Sequence, residues 1–209
     1  MTAPGKDPER GPEPQPEPSK SRQRRERERA ETRAEILRAA RELARAEGWD
    51  AVSMRRLADR IGYSANYAYR YFKGRDDILL AFVRDGFVRL AGLMRSSGTS
   101  VRAAAAAYLD FALDEPDVYQ VMYGLGGVRV PAADTVTEGD AVGLVIADAL
   151  GVTDPYDDRI ARIWATAHGL AALHAIRKLP VDRAHLHRLL AASVDDLLRA
   201  PGPSEGDVR

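Results

Sequence analysis

The sequence predicts an all-α fold of about nine helices, and three observations carry that prediction. Apolar residues recur at three- and four-residue spacing in one segment after another, with no alternating strand pattern and no internal repeat. Capping residues, glycines and prolines bound those segments. Between Ser53 and Phe72 the order is capped helix, glycine turn, capped helix. That is the pattern of a helix-turn-helix, whose second helix enters the DNA major groove.

Taken in order, residues 1–19 hold six prolines and little that could pack, so a disordered tail is expected. Residues 20–29 are a basic arm with Arg22, Arg24 and Arg25. The arm reads either as a solvated, charge-rich helix start or as an extension along the DNA backbone into the minor groove. Ile36, Leu37, Ala40, Leu43 and Ala44 mark an amphipathic helix ended by Gly48. Ser53 caps a short helix with Leu57, Ala58 and Ile61 on one face, and Gly62 turns the chain. Ser64 caps a second short helix whose short, amide, phenolic and cationic side chains suit phosphates and base edges.

A fourth helix is expected from about Asp76 to Arg95, followed by a loop at 96–99 and a helix from Ser100 to Asp114. Pro116 opens a short helix to Tyr123, and Gly124-Leu125-Gly126-Gly127 breaks the structure. Thr135 and Glu138 have capping-box spacing, which opens a helix to about Leu150. Asp154-Pro155 should cap the next helix, to about Lys178, and Asp182 the last, to about Ala200. A tail, 201–209, follows. The domain reading is 30–90 for the helix-turn-helix unit and 91–200 for a C-terminal helical unit.

Formal net charge is zero, but it is unevenly spread. Lys20–Arg75 carries 16 Lys and Arg against 8 Asp and Glu, whereas residues 76–209 carry 13 against 19. Positive charge therefore accumulates where phosphates would be met. The absence of cysteine excludes disulfides, thiolate metal sites and cysteine nucleophiles. No signal-like segment or membrane-length apolar run occurs, so a cytoplasmic protein without a membrane partner is expected. The histidines lack metal-pair spacing, and there is no glycine-rich phosphate loop or Gly-x-Ser-x-Gly. No metal, no cofactor and no catalysis are expected.

The block from about Ala30 to Leu90 resembles the DNA-binding domain of the TetR family of transcriptional regulators. The resemblance rests on the Gly48-ended first helix, the Ser53-capped second helix, the Gly62-Tyr63-Ser64 turn and Tyr69-Arg70-Tyr71-Phe72-Lys73. Further on, Pro116-x-x-Tyr119-x-x-Met122-Tyr123-Gly124 and Trp164-x-x-x-His168-Gly169 resemble the effector domain of the subgroup known by its Trp…His-Gly motif. Ala68 stands where the family usually has a larger aliphatic residue, and Gly74 replaces a common serine.

The resemblance implies a dimeric, ligand-responsive regulator, most simply a repressor of a palindromic double-stranded operator released by a small hydrophobic effector. An effector-independent DNA-binding regulator is the alternative. Asn66 and Tyr67 are the expected base contacts, with Ser64 and Arg70 facing the groove. Ser53, Arg55, Tyr69 and Lys73 are expected on phosphates. Met54, Ala65 and Tyr71 complete the expected DNA face. Tyr108, Phe111, Tyr119, Met122, Tyr123, Trp164 and His168 are the expected effector contacts, since aromatics with polar tips suit a small-molecule pocket. Taken singly, each reads as readily as core. Helix 155–178 is apolar on every side around 163–176, so one face needs a partner. Ile163, Leu170, Leu173, Leu186, Leu190, Val194 and Leu197 are its expected dimer contacts with the last helix.

Overall fold

The computed structural model describes residues 19–125, 130–154 and 157–199, without the side chain of Ala65. Residues 1–18 of the first expected tail, all of the second, Gly126-Gly127 and Pro155 lie outside the described residues. Among the described residues the regular elements are all helical: α1 (Lys20–Glu47), α2 (Met54–Ile61), α3 (Ala65–Tyr69), α4 (Arg75–Ser96), α5 (Val101–Asp114), α6 (Pro116–Met122), α7 (Val136–Leu150), α8 (Asp158–Ala175) and α9 (Arg183–Arg199). Two short 3-10 segments, Trp49–Ala51 and Ala132–Thr135, lie between them.

The basic arm is helix. Residues 20–29 form the first turns of α1, since Arg, Glu and Lys favour helix and pairs four apart support it. Arg22 meets Glu26 at 2.9 Å and Arg24 meets Glu28 at 2.8 Å. The buried residues of α1, Ile36, Ala39, Ala40, Leu43 and Ala44, all lie in its second half. Ser53 Oγ accepts from the Arg56 amide and Ser64 Oγ from the Tyr67 amide, so both short helices are capped as their sequence implies. Gly62, at φ +72°, makes the left-handed turn between them.

α4 leaves the N-terminal unit and packs on α5, α6 and α7; α5 packs in turn on α8 and α9. Gly86 lets α4 approach α6, because a Cβ there would stand 3.0 Å from Val118 Cγ1. One expected cap does not form, and both ends of α8 move. The Thr135–Glu138 capping box does not form: the Thr135 hydroxyl donates to the Ala132 carbonyl, and Glu138 pairs with Arg84 at 3.3 Å. α8 starts at Asp158, capped by Asp157, which accepts from the Arg159 amide at 2.9 Å. It ends at Ala175, short of Lys178, and Arg177 follows at φ +56°. Asp182 caps α9 through the His185 amide at 2.7 Å, as expected.

Candidate DNA interface and ligand cavity

α3 turns Ala68 inward, fully buried, and Phe72 follows it into the core. The small residue at 68 matches that tight enclosure. The opposite side leaves Ser64, Asn66, Tyr69 and Arg70 exposed, with Arg55 and Lys73 flanking them. Neither the Arg55 nor the Lys73 side chain has an ion-pair partner among the described residues, so both cations are open to phosphate. Tyr67 and Tyr71 are only half-exposed. Tyr67 stacks on Tyr63 with centroids 4.3 Å apart, and the Tyr71 hydroxyl donates to the Tyr67 hydroxyl at 3.1 Å.

α1 braces this unit from behind. Arg33 donates to the Tyr71 carbonyl and lies 4.1 Å over the Phe72 ring, and Arg29 lies 5.7 Å from the Tyr71 ring. Sequence reading missed both roles. Met54 is a correction: it is buried in the core of the unit and cannot reach DNA. Ser53 is committed to its cap. The side chain of Ala65 lies outside the described residues.

A cavity of about 1050 Å³ opens between α4, α6, α7 and α8. Met122, Tyr123 and Trp164 line it, together with Phe87 and Ile160. The α7 wall was not foreseen: Val136, Gly139, Asp140, Val142, Gly143, Leu144 and Ile146 form it. The glycines at 139 and 143 are one turn apart, and a Cβ on either would meet nothing within 4 Å.

Tyr108, Phe111, Tyr119 and His168 do not line the cavity, which corrects their assignment. Phe111 is buried beneath Arg89, 5.6 Å from its ring centroid. The other three form a polar chain behind the wall. Trp164, itself 45% exposed, donates Nε1–H to the Tyr108 hydroxyl at 3.1 Å. The Tyr108 and Tyr119 hydroxyls are 3.0 Å apart, and Tyr119 is 2.7 Å from His168 Nδ1. Burial pushes both phenols up and the imidazole down. With the phenols protonated and the imidazole neutral, one direction satisfies each group. The indole donates to Tyr108, Tyr108 to Tyr119, and Tyr119 to Nδ1, which leaves the His168 proton on Nε2.

The cavity and the DNA-binding unit share α6. Its last residue Met122 and the following Tyr123 form cavity wall, while Asp117 in its first turn is held by the N-terminal unit. Arg41 donates to Asp117 at 2.7 Å and Arg45 at 3.0 Å, and Trp49 Nε1 donates to the Asp117 carbonyl at 3.1 Å. Burial alone would raise the Asp117 carboxyl, but the two guanidiniums outweigh it and hold it below the usual carboxylate range. Arg41 also pairs with Glu115, which Arg89 of α4 meets at 3.1 Å. No helix among the described residues is long and apolar enough to cross a membrane.

The dimer stripe needs correction as well. Ile163, Leu186, Leu190, Val194 and Leu197 are buried inside the protomer, where α5, α8 and α9 pack together. They cannot face a partner without unpacking their own core. Leu170 is half-buried and Leu173 is exposed. The free side of α8 carries Ala165 and Leu173, with Ile176, 62% exposed, just past its end, beside a shallow groove shared with Ser193 and Asp196 of α9.

Two family descriptions match the chain in succession. Residues 36–82 match "Bacterial regulatory proteins, tetR family", and residues 101–197 match "Tetracyclin repressor-like, C-terminal domain". The HTH-type transcriptional activator FasR of Mycolicibacterium smegmatis is 29% identical over 172 residues, covering 79% of this chain and 70% of FasR. Among solved structures, regulatory protein SCO4313 is 28% identical with a TM-score of 0.71, over 84% of this chain and 99% of that one. A TetR transcriptional regulator from Rhodococcus sp. RHA1 shares the fold at 21% identity and a TM-score of 0.57, over 80% of this chain and 97% of that one.

Proposed function

The chain belongs to the TetR family of bacterial transcriptional regulators, and we propose that it is a ligand-responsive dimer that leaves a palindromic operator when a small hydrophobic effector fills the cavity. The sharing of α6 carries this reading. A ligand that displaces Met122 or Tyr123 moves a helix only seven residues long, about 10 Å. The far end of that helix is bolted to α1 through Asp117, so the two reading heads change their separation. Operator half-sites lie about 34–36 Å apart, or a multiple of that, and a dimer with altered spacing fits only one of them. Ligand and operator then oppose each other reciprocally.

On the DNA side, Asn66 supports base contact because its amide is exposed at the centre of α3 and can pair bidentately with adenine. Tyr67, steadied by Tyr63 and Tyr71, presents a ring edge to thymine methyls. Arg55, Lys73, Tyr69 and Arg70 take phosphates, with Arg25 beyond them on α1. For the dimer, the exposed stripe of Ala165, Leu173 and Ile176 at the free side and end of α8 replaces the buried residues, since a partner helix would take its large apolar side chains out of water. Trp164, His168 and Gly169 fit the Trp…His-Gly subgroup, in which the polar chain from Trp164 to His168 stiffens the cavity wall.

A second reading concerns sign. FasR is named an activator, and the same coupling activates where the operator lies upstream of a promoter. A roomy cavity beside α6 favours either of these over an effector-independent regulator. Selection of bound fragments from genomic DNA, followed by footprinting, tests the proposal. A protected palindrome with two half-sites one or more helical turns apart is expected; protection without sequence preference would refute it.

A further inference from the structure

The cavity has a charge character that its apolar lining conceals. Its described lining includes two carboxylates, Asp140 and Asp157, and no lysine, arginine or histidine. The two acids are not equivalent. Asp157 accepts from the Arg159 backbone amide at 2.9 Å and from its guanidinium at 2.9 and 2.7 Å, which satisfies it in place. Asp140 is exposed at the cavity and has no ion-pair or hydrogen-bond partner among the described residues. Its surroundings share its sign. Residues 131–158 contain seven Asp and Glu and no Lys, Arg or His; Arg84 pairs with Glu138 and Arg159 with Asp157, while Arg95 donates to the Ala141 carbonyl at 3.4 Å.

An anionic ligand would bring a second negative charge beside Asp140, with no cation in the described lining to meet it. A cation gains on two counts. Asp140 attracts it, and the faces of Trp164, Tyr123 and Phe87 carry the negative side of the ring quadrupole. The apolar remainder of the wall has room for an alkyl or aryl frame. Resting on the reading of this cavity as the effector site, we propose that its ligand is a lipophilic cation, a protonated amine or quaternary ammonium, with its charge at Asp140 and its frame against Trp164 and Tyr123.

Calorimetric titration of the full-length protein with decyltrimethylammonium, decanol and decanoate, each below its micelle concentration, separates charge from chain length. The cation should bind at least about tenfold tighter than decanol, as ring faces and one carboxylate together allow, and decanoate should bind weakest. Asp140→Asn should erase the advantage of the cation while leaving decanol unchanged. Gly143→Trp, which occupies the cavity, should abolish binding of both. Decanoate binding as tightly as the cation, or a preference that survives Asp140→Asn, overturns the cation assignment and leaves the cavity as effector site. Binding by none of the three probes, or binding that survives Gly143→Trp, removes the cavity reading and this inference with it.

Discussion

Arg41 of α1 and Asp117 of α6 form a two-pronged ion pair, Nε to Oδ2 at 2.7 Å and the outer nitrogen to Oδ1 at 3.2 Å, at the joint between the DNA-binding unit and the cavity wall. Arg45 adds two further contacts to the same carboxylate. The Asp117 side chain is only 12% exposed, so the pair is shielded far better than a surface salt bridge.

Asp117→Asn keeps the shape and removes the charge, leaving two guanidiniums without their shared partner. The loss should be about 1–3 kcal/mol, below that of a fully buried pair because Arg45 reaches solvent. Urea denaturation reads the stability, and an operator titration with and without effector reads the coupling. Stability lower by that amount with a weakened effector response is expected. An unchanged response would make the clamp purely structural.

His168 gives a pH dependence of definite sign. Burial lowers its folded value below 6.5, so the unfolded chain takes up a proton that the folded chain resists. Its contribution to stability is therefore lost as pH falls from neutrality through 6.5 towards the lowered folded value, and no further below that. Protonation would also put a hydrogen on Nδ1, where Tyr119 now donates. His168→Gln retains an acceptor for Tyr119 but does not titrate. Urea midpoints measured across this range should fall less for the variant than for the parent, and parallel curves would contradict the assignment.

Much of the DNA-binding unit was legible in sequence because its determinants are local. Ser53, Gly62 and Ser64 act within four residues of themselves, and the structure shows each doing what its chemistry implies. The capping box failed because Glu138 found Arg84, 54 positions away in the chain and invisible to local spacing. Periodicity identified Leu186, Leu190, Val194 and Leu197 as one buried stripe. It could not say whether their own protomer or a partner buries them. Trp164 was expected at the pocket, but no local spacing shows that its indole N–H is bonded inward to Tyr108, 56 positions away. The α7 wall was missed because Gly139 and Gly143 matter through the side chains they lack. The Asp117 clamp joins residues 76 and 72 positions apart.

The exposed α8 stripe and the buried α9 stripe make opposite predictions under the same substitution. Leu173→Arg places a charge on the face free in the protomer and should give a folded monomer by sedimentation. Leu190→Arg places one inside the protomer core and should prevent folding. A Leu173→Arg dimer of unchanged affinity would move the interface elsewhere.

Asn66 and Lys73 should separate specificity from attraction. Asn66→Ala should cost about 1–3 kcal/mol and relax discrimination at one operator position. Lys73→Ala should weaken specific and non-specific binding alike and lower the salt slope by about one unit. Fluorescence anisotropy over a set of operator variants and salt concentrations distinguishes the two patterns, and an Asn66→Ala variant with intact discrimination would remove that residue from base readout.

The coupling of cavity to DNA through α6 can be measured without knowing the effector. Gly143→Trp puts a large side chain into the cavity from α7, where a Cβ meets nothing within 4 Å. Operator affinity is then compared for the parent, Gly143→Trp, and Gly143→Trp combined with Asp117→Asn, with the fluorescence of the added indole reporting its burial. The filled cavity should lower operator affinity at least about tenfold, a coupling of roughly 1.4 kcal/mol, and the second substitution should restore most of it. A buried indole at position 143 with undiminished operator binding would contradict the coupling.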